Sequence, residues 1–168
     1  DVTVRSLLGP FEELNERIPL APLRWSLAHV FTIEPESIER ATDLGLTIAI
    51  HSVAMYGTPE RQPPLRQIQD SGIVWGLGTD STIVAHYQPF ITLGWTVSGK
   101  SINGNQVIDE PVTREEALIA HTRSNAYLMF KEDDIGSLEV GKLADLVVLD
   151  QDYMTIPVDD IFGIESVL

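Results

Sequence analysis

Apolar positions along the chain fall into two periods. Val4, Leu7, Leu8, Phe11, Leu14 and Ile18 recur at helical spacing, with Glu12, Glu13, Glu16 and Arg17 off that face. They predict a helix interrupted or bent near Gly9-Pro10 and ended by Pro19 and Pro22. Three other runs are continuous: Leu23 to Ala28, Leu46 to Ile50 and, within the stretch Gly72 to Ser81, the run that stops on Asp80. They are too short for helices and rich in β-branched and aromatic residues, which predicts strands covered on both faces. Between the first two lies Thr32-Ile-Glu-Pro-Glu-Ser-Ile-Glu, where Pro35 suits the first turn of a helix, the acidic residues complement its dipole, and Gly45 provides its stop. Between the second and third, a loop with Gly57, Pro59, Pro63 and Pro64 leads into a helix from about Leu65 to Ser71, closed by Gly72. Strand, helix, strand, helix, strand is the repeat of a parallel sheet. Beyond it, Ser81 to Gly104 reads as a long loop with a turn at Asn103-Gly104. Thr113 to Glu116 forms a capping box for a helix to about Phe130, and a turn at Gly141-Lys142 precedes a fourth strand, Leu143 to Leu149.

Each of the three apolar runs stops on a titratable residue. These are His29, His51 and Asp80, at spacings of 22 and 29 residues. In α/β enzymes the chemistry sits just past the C-terminal ends of parallel strands. One parallel sheet would therefore carry two imidazoles and a carboxylate to a common rim, the arrangement needed by a divalent metal or an acid/base pair. His86 lies in the long loop that follows, where substrate pockets are commonly built. His121 falls inside a helix and reads as structural.

Composition narrows the partners. The 168 residues carry 11 Lys+Arg against 25 Asp+Glu, a formal charge of −14 spread along the chain. Nucleic acids and anionic membrane surfaces need a basic footprint, so neither is expected. Hydrophobic residues make up 43% of the chain, enough for a real core. Cysteine is absent, so a metal must be held by nitrogen and oxygen. No apolar run approaches the roughly 20 residues of a membrane span, and the N-terminus lacks a signal-peptide pattern, which places the protein in the cytoplasm unless a leader precedes Asp1. Both ends read as cut: no Met at Asp1, and an apolar run from Ile164 to Leu168.

Four stretches together are similar to metal-dependent amidohydrolases, in the branch of D-aminoacylase-like and imidazolone-processing-like enzymes. They are RWSLAH (24–29), GLGTDS (76–81), TREEALIAHTRSNAYL (113–128) and GSLEVGKLADLVVLDQDYMTIPVDDI (136–161). The resemblance implies a (β/α)8 TIM-type barrel with a small β-sandwich built from both chain ends, and a metal at the C-terminal rim of the barrel. It puts Asp80 on the strand-8 aspartate and His29 on the strand-6 histidine, both metal ligands, with Asp80 also the proton shuttle. It puts His51 at the end of strand 7, facing substrate; His86, from its place in the loop after Asp80, is the further candidate for substrate binding. The family's His-x-His, strand-4 ligand and strand-5 histidine have no counterpart in the chain. The implied fold is thus α/β, a partial barrel of strands 6 to 8 over residues 1–132 with a tail, 133–168, for the sandwich. The implied function is the C-terminal fragment of a hydrolase that cleaves amide or other C–N bonds of a small molecule by a metal-activated water, zinc being the expected ion. With two ligands only, the chain alone is expected to bind zinc weakly. The alternative is a truncated, non-catalytic relative acting as a structural module. Either way a homo-oligomer, or association with a missing N-terminal part, is expected.

Overall fold

Three short strands, β1 (Ser26–Ala28), β2 (Thr47–His51) and β3 (Trp75–Gly78), form a parallel sheet in the order β1-β2-β3. The structure is a computed structural model that describes residues 2–81 and 83–167; Asp1, Thr82 within the predicted long loop, and Leu168 lie outside the described residues. The register pairs Ala28 with Ala49, Ala49 with Gly76 and His51 with Gly78, so the three strands end at nearly one level. Ile48 and Ile50 of β2 are fully buried, and Trp75 and Leu77 of β3 nearly so. Each such side chain contributes about 1.5–3 kcal/mol on leaving water, which is why these runs are interior strands.

Among the described residues there are six α-helices, besides four short 3-10 helices: α1 (Val2–Asn15), α2 (Pro35–Asp43), α3 (Leu65–Asp70), α4 (Pro89–Ser98), α5 (Arg114–His121) and α6 (Arg123–Leu128). α1 runs through Pro10 without a break and stops at Asn15, three residues short of Ile18. There the Asn15 side chain accepts a hydrogen bond from the Leu20 amide at 2.9 Å, which turns the chain. α2 begins with Pro35 in its first turn, and Gly45, at φ +67°, follows its end where a side chain would strike Ala21. The capping box is complete: Glu116 N–H donates to Thr113 Oγ1 at 3.2 Å, and Thr113 N–H to Glu116 Oε2 at 2.7 Å.

Three expectations are corrected. The stretch Ser81 to Gly104 is not one loop, because α4 lies within it, started by Pro89 and ended by Gly99 in the left-handed region. Its apolar residues surround the whole helix, and Trp95 is fully buried, so no amphipathic stripe marks it. The helix from Thr113 is broken at Thr122, whose backbone is non-helical, into α5 and α6. Leu143 to Leu149 forms no strand; a single antiparallel bridge, Leu149 with Ser166, is all its ladder. A strand needs a partner along its length, and residues 143–148 have none in the described sheet. One apolar core joins the layers, and no described helix is long and apolar enough to cross a membrane.

Candidate metal centre

The strands place the three rim residues, and the backbone just past them does the rest. His29 and Asp80 have left-handed φ of +58° and +53°. This region is uncommon outside glycine but tolerated by His, Asp and Asn. The chain therefore turns off β1 and β3 immediately, and both side chains finish beside His51.

His29 Nε2 lies 3.8 Å, and His51 Nδ1 3.6 Å, from the same oxygen, Asp80 Oδ2. One donor atom from each residue falls within 4.8 Å of the others. The two imidazoles are neighbours, with ring centroids 3.9 Å apart and planes inclined by 53°. His29 and Asp80 are half exposed, whereas His51 is the sheltered member. Burial pushes the His51 imidazolium below its usual pKa; the charge of His29 adds to this and Asp80 opposes it. Its Nδ1 is buried without a hydrogen-bond partner. An orphaned polar atom of this kind costs about 1–3 kcal/mol. Two nitrogens, the orphaned Nδ1 among them, and one carboxylate oxygen fit a divalent cation of the zinc type.

The rim brings together His29, His51 and Asp80 but not His86, which is exposed in the segment between β3 and α4. His121 ends α5 with Nε2 buried and its pKa lowered by burial, in keeping with a structural residue. Supporting residues escaped the sequence reading. Asn125 donates from Nδ2 to the Leu77 carbonyl at 2.8 Å, fastening β3 to α6 three residues before Asp80. The approach is possible because position 76 is glycine: a Cβ there would stand 2.2 Å from Asn125 Oδ1. An isolated glycine inside an apolar strand was the available signal. Gln62 donates to the Ala54 carbonyl at 2.7 Å and accepts from Trp95 Nε1 at 3.2 Å, tying the loop after His51 to α4.

A model of the amidohydrolase family matches residues 1–168. The chain belongs to the amidohydrolase family. This amidohydrolase chain is 26% identical over 128 residues to an imidazolonepropionase of Bdellovibrio bacteriovorus, covering 76% of itself and 28% of that protein. It is 29% identical over 147 residues to an N-substituted formamide deformylase of Arthrobacter pascens, covering 79% of itself and 26% of that protein. It thus spans little more than a quarter of these curated relatives' length. A metal-dependent hydrolase from Pyrococcus furiosus superposes with a TM-score of 0.73 at 24% identity, over 92% of this chain and 32% of that one. A zinc-bound adenosine deaminase from Xanthomonas campestris superposes with a TM-score of 0.68 at 19% identity, over 89% and 35%. These two likenesses show the fold, an α/β unit with a parallel sheet.

Proposed function

We propose that the protein containing this chain hydrolyses an amide or other C–N bond of a small molecule, and that residues 1–132 form strands 6 to 8 of its (β/α)8 barrel, with 133–168 a part of its β-sandwich. The observation that carries this reading is the convergence of His29, His51 and Asp80 on one rim of a parallel sheet in a family member. The names of the two relatives, a deformylase of N-substituted formamides and an imidazolonepropionase, agree with it in kind. When bound, a divalent cation, zinc for this donor set, supplies a Lewis acid that polarises the carbonyl and brings the pKa of water towards ~7.

His29 and Asp80 hold that ion. Asp80 has a second oxygen, and as a half-exposed carboxylate on the rim it can accept the proton of the attacking water and return it to the departing nitrogen. His86, on the segment after β3, contacts the substrate, and the family position of His51 gives it the same task. The protein works in the cytoplasm on this reading, and its substrate is neither nucleic acid nor lipid surface.

Asp80→Asn in the full-length protein is the test. Asparagine tolerates the left-handed backbone that Asp80 adopts. It still offers an oxygen to a cation but cannot take up a proton, so kcat should fall roughly 10²- to 10⁴-fold with metal content unchanged. A fully metallated Asp80→Asn enzyme that keeps more than about a tenth of its rate would remove Asp80 as proton carrier.

A further inference from the structure

We infer that His51 is a metal ligand through Nδ1, not the substrate contact its family position implies, so that this chain by itself carries a three-donor face of two imidazoles and one carboxylate. The inference rests on the proposed metal centre and decides which residues make it.

Three observations on the rim point the same way. The separations from Asp80 Oδ2, 3.6 Å to His51 Nδ1 and 3.8 Å to His29 Nε2, are both longer than a hydrogen bond. Two ligands ~2.0–2.1 Å from one tetrahedral ion stand about 3.4 Å apart, so these gaps are close to those that a shared cation sets. The two nitrogens also face a single oxygen, Oδ2. A cation among these three atoms leaves Asp80 Oδ1 free for the proton that the proposed hydrolysis needs. Finally, the His51 ring atom that faces Asp80 is Nδ1, which is buried and has no hydrogen-bond partner, while His29 and Asp80 keep the more exposed positions. A cation between Nδ1 and Oδ2 satisfies that orphaned atom. Three protein donors with the remaining positions open is the ligand count of a catalytic, rather than a structural, zinc site.

The weak binding expected from two ligands is therefore replaced by stoichiometric binding. The experiment is a titration of the 168-residue chain with Co(II) and then Zn(II), read by absorption and calorimetry, together with histidine 15N NMR of the zinc-loaded chain. One ion per chain is expected, with Nδ1 of His51 and Nε2 of His29 the shifted ring nitrogens. His51→Ala and His29→Ala should each weaken binding at least about tenfold. The NMR readout needs no variant, so misfolding of His51→Ala leaves the assignment decidable. A zinc-loaded chain whose His51 Nδ1 resonance has not moved overturns the inference, as does the absence of binding at millimolar ion. Neither result touches the hydrolase reading, which stands or falls on Asp80→Asn turnover.

Discussion

Glu116 carries two duties on one carboxylate. Oε2 accepts from the Thr113 amide at 2.7 Å and from Arg66 Nη2 at 2.8 Å, while Oε1 accepts from Arg66 Nη1 at 3.0 Å. Arg66 foremost, with help from the Thr113 amide and against burial, holds the Glu116 carboxyl down at about 2. A carboxylate with a depressed folded-state pKa contributes stability that is fully present above its unfolded value, ~4.3, and is lost as pH falls through its folded value. The fold should therefore weaken between pH ~4.5 and about 2. Glu116→Gln should cost about 1–2 kcal/mol at pH 7, a charge-assisted pair discounted for partial exposure, and should flatten that acid dependence. Urea unfolding of both proteins at pH 7 and pH 3 checks this, and an unchanged acid slope in the variant would assign the sensitivity elsewhere. Half of this arrangement was legible in the sequence. Thr113 and Glu116 are three residues apart and share a capping pattern, whereas Arg66 is 50 residues away and meets Glu116 only through tertiary packing. The rim residues divide similarly. Their positions at strand ends could be read from where the apolar runs stop, but the left-handed turns at His29 and Asp80 could not, because no glycine marks either position.

At the scale of elements, continuous apolar runs were legible where a neighbour strand exists and misleading where it does not. β2 and β3 lie within one to three residues of their expected spans because each is buried between layers. Leu143 to Leu149 has the same composition but stays exposed at Leu143, Leu146, Val147 and Val148, since propensity alone does not hold a strand. α4 was hidden for the opposite reason, being apolar on every side, although Pro89 and Gly99 at its ends were usable signals. The contact that aims β3 yields a prediction. Gly76→Ala would drive a methyl against Asn125 Oδ1, within 2.2 Å, and must break the Asn125 to Leu77 bond or shift β3. Either response moves Asp80, so the variant should lose about 1–3 kcal/mol of stability and also metal affinity. Thermal unfolding with metal titration measures both, and a destabilised chain with undiminished affinity would show that β3 does not position the carboxylate.

Among the described residues the molecule is built on one three-stranded sheet with two outer edges. β1 and β3 each pair only with β2 among the described residues. Unpaired edges of this kind are templates for another chain. Trp25 at 39%, Leu146 at 60% and Val147 at 53% exposure add apolar surface that the core does not cover. Against association stands a net charge of −14. At 0.15 M salt the Debye length is ≈ 8 Å, so repulsion between chains is screened while apolar contact and strand pairing are not. The chain should thus self-associate at tens of micromolar, and its mass should rise as salt is raised from about 0.05 to 0.5 M. Association driven by ion pairs would show the reverse salt dependence. If the chain is part of a longer barrel, as proposed, the remainder added as a separate polypeptide should reduce the self-associated fraction by occupying the same edges. Static light scattering across the salt series decides the matter: a monomer at every salt concentration would mean that the exposed edges are not adhesive and that the three-stranded unit is self-sufficient.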